Sequence, residues 1–199
     1  TWANNVLLEF FSVVDKSNPI IKDNYNKFKN SFLLFDPVQK DKIPYFSSQR
    51  PKNNIDFESF FNLTKRRRSV RWFKQKPVPR NLLEKAIMAA LQSPSACNRQ
   101  PFQYIILDEK DAINKISTLP MGIKGYESQI PVFVVVIGNL DAYAEERDRH
   151  AIYIDASLAN MSLILALETL GLSSCCINWP DIEEKEIKIK NLIKLKPHQ

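Results

Sequence analysis

Apolar residues recur at helical spacing from Trp2 to Val14 and again from Asp23 to Leu34, which predicts two helices at the start of the chain. Between Asp36 and Asn54 the Pro, Ser, Lys and Asn content is that of an irregular connection. The pattern becomes more regular from Asn62 onward. Leu82, Leu83, Ala86, Ile87, Ala90 and Leu91 follow Pro79, a residue a first helical turn tolerates, until Ser93 and Pro94 stop the helix. Phe102 to Leu107 reads as a buried strand, Asp111 to Leu119 as a short helix, and PVFVVVI at Pro131 to Ile137 as the strongest strand of the chain. A long helix then runs from Asp141 or Arg149 to Leu170, with Gly171 placed for a left-handed cap. A strand at Ser174 to Asn178 follows. The last helix starts at Asp181, with Glu184 three residues on in a capping-box arrangement. Helices alternating with three strands predict a layered domain of α and β elements.

With 199 residues and 44% hydrophobic content, the chain can bury one substantial core but not two independent ones. Residues 1–63 carry more than half of the aromatic side chains, among them Phe10, Phe11, Phe28, Phe32, Phe35, Phe57, Phe60 and Phe61. That is too much apolar mass for a disordered tail. They are expected to form a helical extension that wraps the main domain of residues 64–199 or its partner subunit. Three strands make a thin sheet, and no final strand follows the Lys-Pro near Gln199, so a further C-terminal piece is expected. The apolar tract Ala151 to Leu172 contains Asp155, Asn160 and Glu168, each costly in a bilayer, and reads as a buried helix rather than a membrane span. No leader pattern is visible after Thr1; since Thr1 is not Met, the natural start is expected to lie further upstream. Cys97, Cys175 and Cys176 form no disulfide framework, which predicts a reducing, cytoplasmic setting.

Charge changes the picture at one place. Lys65 to Arg80 reads KRRRSVRWFKQKPVPR, with eight Lys or Arg and no acid. One helix later comes a loop of hydroxyl and amide groups, SPSACNRQP, at Ser93 to Pro101. A knot of guanidinium groups around a serine suits a phosphate dianion, since charged hydrogen bonds contribute about 1.5–3 kcal/mol each. The competing reading is a solvated face or a nucleic-acid patch. Against it, Val70, Trp72 and Phe73 interrupt the charges, the net charge is only +6, and no second basic stripe could follow a phosphodiester backbone. Glycine is scarce: four residues stand where average usage of about 7% would supply roughly fourteen. Neither GxGxxG nor a P-loop can be written, so side chains must hold any phosphate. With only His150 and His198 present, a metal cluster or a histidine-activated nucleophile finds no recognisable spacing, and His150 reads as structural.

Three segments in order, RRSVRWF at Arg67 to Phe73, SPSACNRQPFQYIIL at Ser93 to Leu107 and DASLANMSLILALETLGLSSCCINW at Asp155 to Trp179, resemble the FMN-dependent nitroreductase family over most of residues 64–197. The resemblance implies an α+β fold with a central mixed sheet flanked by helices, an obligate homodimer, and FMN in a cleft at the subunit interface. It places Arg67, Arg68, Ser69 and Arg71 at the flavin phosphate and pyrimidine edge, Arg71 favouring the negative charge that reduction brings. Pro94, Ser95, Ala96, Asn98 and Gln100 would line the cofactor. Cys176, Ile177 and Asn178 would lie along the ring, Cys176 as a small buried hydrophobe. The expected activity is hydride transfer from NAD(P)H through FMN to an electron-poor acceptor such as a nitroaromatic or quinone, the ring chemistry being the cofactor's. Trp179 departs from the family pattern and would narrow the substrate face. With the aromatic extension it motivates a second reading, a flavin enzyme that oxidises one biosynthetic intermediate. A third, from another class, is a non-catalytic basic module that binds nucleic acid.

Overall fold

The computed structural model describes residues 2–31 and 43–199. The chain divides into two compact units, Thr1–Asn54 and Ile55–Gln199. In the first, α1 (Trp2–Val13) and α2 (Pro19–Ser31) are joined by a short turn. They meet through Phe11, whose ring lies 5.2 Å from both Tyr25 and Phe28. Lys16 and Lys29 cap the Tyr25 ring at 5.3 and 5.6 Å. Both expected helices are present, except that residues 32–34 of the second lie outside the described residues, as do 36–42 of the expected connection. Past residue 42 that connection is irregular apart from one 3-10 turn, Ser47–Gln49.

The second unit begins with α3 (Phe57–Arg66), whose start is set by Asp56 accepting the Ser59 amide at 2.6 Å. There follow α4 (Arg80–Ala90), β1 (Phe102–Leu107), α5 (Lys110–Ile116), β2 (Phe133–Gly138), α6 (Ala151–Thr169) and α7 (Glu183–Ile193). β1 and β2 pair antiparallel, Phe102 opposite Gly138 and Leu107 opposite Phe133. The core lies between this pair and two helices: Leu83, Ala86 and Ala90 of α4 meet Ala156, Ala159, Leu163 and Leu167 of α6 over Phe102. Ala86, Ala90 and Ala159 have no exposed surface, so small side chains let the two helices approach closely. A smaller cluster of Ile116, Leu119 and Ile189 joins α5 to α7.

Some local expectations held and others did not. α6 ends as its glycine predicts: Gly171 has φ +74°, its amide bonds Glu168 O at 3.2 Å, and the Leu172 amide bonds Leu167 O at 2.9 Å. Pro79, by contrast, is the N-cap of α4 and stands just before its first turn. The capping box at Asp181 is not formed. α7 starts after Ile182 without a side-chain cap, and Glu183, Glu184 and Glu186 in its first turn complement the helix dipole instead. The expected strand Ser174 to Asn178 is reduced to one parallel bridge, Ser174 to Ser69, because past that point it has no ladder partner among the described residues. The expected start of the long helix at Asp141 is also replaced, by short 3-10 turns at Leu140–Ala142 and Glu146–Asp148.

Candidate cofactor site

The arginine run leaves the end of α3. Arg66 pairs with Glu168 in the last turn of α6 at 2.7 Å, Arg67 caps α3, and the chain then turns extended. The Val70 amide bonds Ser174 O at 3.1 Å beside the Ser69–Ser174 bridge, which brings Ser69–Arg71 to the start of the Ser174–Asn178 segment. The sequence places these segments about a hundred residues apart; the fold makes them neighbours. Arg68 donates to Arg67 O at 2.9 Å and Arg71 to Ser69 O at 3.5 Å. Among the described residues none of Arg67, Arg68 and Arg71 has a carboxylate partner. Three clustered cations without a counter-ion fit an anionic group such as a phosphate.

Supports for this cluster were missed in the sequence. Tyr126 is buried, donates its hydroxyl to Gly122 O at 3.0 Å, and stands edge-on to the exposed Trp72 at 5.9 Å. Burial and the neighbouring Cys175 push the Tyr126 hydroxyl pKa up, while Arg71 draws it down. Ile177 lies against Gly122, its Cγ2 3.5 Å from where a Cβ would stand. Cys176 differs from the small buried hydrophobe expected: the residue is exposed. Its sulfur is nevertheless partly desolvated and close to Cys175, which raises the thiol pKa, with Arg67 offsetting part of the rise. A thiol held protonated is a poor nucleophile. Trp179 also differs. Its indole donates to Glu186 and its ring packs on the Ile116, Leu119 and Ile189 cluster, so it belongs to the α7 contact and not to an open face.

The second predicted segment lies elsewhere. Ser93 is buried, 2.8 Å from the Ser162 hydroxyl, and fixes the exit of α4 onto α6. Beyond it Pro94 is exposed, Ser95 accepts the Gln100 amide at 2.9 Å, and the Gln100 side chain donates to Leu91 O at 2.9 Å. The Ala96 amide faces Asp155, at 3.2 and 3.1 Å from its two oxygens. Cys97 and Asn98 at φ 52° and Gln100 at φ 46° adopt left-handed backbone without being glycine, a strain that gathers at functional loops. Asp155 stands near the N-terminal end of α6 and Glu168 near its C-terminal end. Thirteen residues at about 1.5 Å each separate the polar loop from the arginines by roughly 20 Å. Two concavities of the chain, of about 460 Å³ between α5 and α7 and about 270 Å³ near Arg99 and Gln199, do not contain Arg67–Arg71.

Known proteins share both the sequence and the fold. Residues 64–123 and 128–199 match the sequence profile of the nitroreductase family. A protein of Methanothermobacter thermautotrophicus, provisionally named NADH dehydrogenase/NAD(P)H nitroreductase, is 25% identical over 136 residues, 67% of this chain and 68% of its own. Mouse iodotyrosine deiodinase 1 is 25% identical over 162 residues, 66% of this chain; the match spans 57% of the deiodinase. The structure of an FMN-dependent nitroreductase from Clostridium difficile superposes with a TM-score of 0.60 at 25% identity, over 69% of this chain and 80% of that one. With the family profile matched over well over half its length, the chain belongs to the nitroreductase family.

Proposed function

We propose that the protein is an FMN-dependent oxidoreductase that takes hydride from NADH or NADPH and passes it to an electron-poor acceptor, a nitroaromatic or a quinone. Two copies of the chain would build each cofactor site. The observation that carries this reading is the run of Arg67, Arg68 and Arg71, without carboxylate partners among the described residues, tied by the Ser69–Ser174 bridge to the segment that leads into Cys176. Bound FMN would supply the electron-transfer chemistry. The chain would supply the rest: Arg67 and Arg68 with Ser69 hold the phosphate, Arg71 sets a positive charge at the ring edge, and backbone groups of Ile177 and Asn178 orient the ring.

Two features support a composite site. The polar loop and Arg66 meet α6 near its opposite ends, at Asp155 and Glu168, roughly 20 Å apart, so we assign Pro94, Ser95, Ala96, Asn98 and Gln100 to the site of a second copy. α6 is mostly apolar with no single polar face, yet Ile154, Leu158 and Met161 along one side are 60%, 45% and 44% exposed. By length and composition it could cross a membrane, but it packs on α4 through Ala159 and Leu163 and carries the bonded Asp155. A second copy covering that face accounts for both facts, and we place the protein in the cytoplasm because three cysteines without framework spacing are ordinary in a reducing compartment. Trp179, engaged with Glu186, no longer motivates a selective oxidase.

Purified protein should be yellow and release FMN on denaturation, and NADH or NADPH should bleach the visible absorbance under anaerobic conditions. Colourless protein that takes up no added FMN overturns the reading. Yellow protein that neither nucleotide bleaches removes NAD(P)H from it and leaves the flavin.

A further inference from the structure

Asp155 is the only acid in the first half of α6 and is 3% exposed. A buried carboxylate is costly unless every oxygen is bonded. Here Tyr143 donates its hydroxyl to Asp155 at 2.7 Å, and the Ala96 amide completes the set. Arg99 stacks over the Tyr143 ring at 5.1 Å and donates to Ala142 O at 2.5 Å. We infer that Asp155, with Tyr143 beneath it, is the positioning residue of the Ser93–Pro101 loop, holding its left-handed crown in the shape that meets the flavin; this rests on the proposed function.

Three facts separate this role from general stability. The α4–α6 contact is made by Ala86, Ala90 and Ala159, and Ser93 fixes the exit of α4, so the start of the loop is anchored without Asp155. The other bonds of the crown close it on itself, Asn98 N to Ser95 O and Gln100 N to Ser95 Oγ, or run from the Arg99 and Gln100 side chains to Ala142 O and Leu91 O; among the described residues the Ala96–Asp155 bond is the one that ties the crown to α6. The residues that follow Ala96 are those in unfavourable backbone, which needs an outside constraint to persist.

The test uses the full chain, with Asp155→Ala, Asp155→Asn and Tyr143→Phe compared with Arg67→Ala. With the phosphate assigned to Arg67 and Arg68, the loop is left the uncharged part of the cofactor, so Asp155→Ala should weaken FMN and riboflavin together, by about tenfold or more. Asp155→Asn keeps one acceptor for the Ala96 amide and should fall between, and Tyr143→Phe should have the smallest effect. Arg67→Ala should weaken FMN alone. Should Asp155→Ala not fold, the other two variants carry the comparison. Wild-type flavin affinity in folded Asp155→Asn and Tyr143→Phe overturns the inference, as does a lowered melting temperature with affinity unchanged. Amide hydrogen exchange without flavin gives an independent answer if the wild type binds none: the variants should speed exchange at Ala96–Gln100 and leave α4 and β1 as they were. Uniform or unchanged exchange sinks the positioning role.

Discussion

At the scale of single residues, the arginines divide by what they touch. Arg66 is committed to Glu168 and Arg80 to Asp108 at 3.0 Å, whereas Arg67, Arg68 and Arg71 have no carboxylate partner among the described residues: Arg68 and Arg71 donate to backbone oxygens of their own segment, and Arg71 also acts on Tyr126 and Arg67 on Cys176. Arg67→Ala and Arg71→Ala should therefore leave folding intact and raise the FMN dissociation constant by about tenfold to a hundredfold each, from lost charged hydrogen bonds of about 1.5–3 kcal/mol. Quenching of free FMN fluorescence on titration measures this; unchanged affinity in both variants would remove the phosphate from this cluster. Gly138 gives a second test at this scale. A Cβ there would stand 2.7 Å from Ile152 Cδ1 and 3.0 Å from Ile152 Cβ, the latter fixed to the α6 backbone. Gly138→Ala should lower stability by about 1–3 kcal/mol in urea unfolding, and a neutral result would mean that β2 and α6 separate easily. The sequence marked the arginines by composition but hid Tyr126 and Tyr143. Each is one tyrosine among six, and only its neighbours give it a role.

Among the elements, β1 falls at the bounds its apolar run predicts, and the end of α6 follows from Gly171, because both signals are local. α3 carried its own signal in Asp56 and the spaced Phe57, Phe60 and Phe61, but the excess of aromatics pointed to the preceding segment instead. The third strand failed for the opposite reason: its pairing depends on residues a hundred positions away. The contact between α4 and α6 depends on small residues, so Ala159→Leu should cost about 1–3 kcal/mol and shift the thermal midpoint downward in calorimetry. Stability should also fall with alkali. Burial pushes the Tyr104 hydroxyl up to about 12, and burial with the Asp155 bond pushes Tyr143 up to about 12, from 10.0. The folded chain then holds protons that the unfolded chain has released, so stability is full below about 10 and declines as pH rises toward 12. Urea midpoints across that window should drop less in Tyr104→Phe; an equal drop would show that this hydroxyl is not linked to folding.

For the whole molecule, a charge on the exposed stripe of α6 is the sharpest probe of assembly. Leu158→Glu should shift sedimentation toward the monomer and take bound flavin with it, since each half of the site would then lack the other. A monomer that keeps FMN at wild-type affinity would place the whole site in one chain. What the residue order determined alone was the set of local commitments: which segments coil, where Gly171 stops a helix, and that, in the absence of a glycine cradle, any phosphate would have to be held by side chains. What only the tertiary structure decided was placement. The bridge between Ser69 and Ser174 brought the arginines to the cysteine segment, α6 held the polar loop at its far end, and Asp155 acquired an amide and a hydroxyl to bond. Backbone propensity acts over a few residues and can be read in order along the chain. Pairing and burial join distant segments, and their outcome depends on the closed core that the whole chain makes.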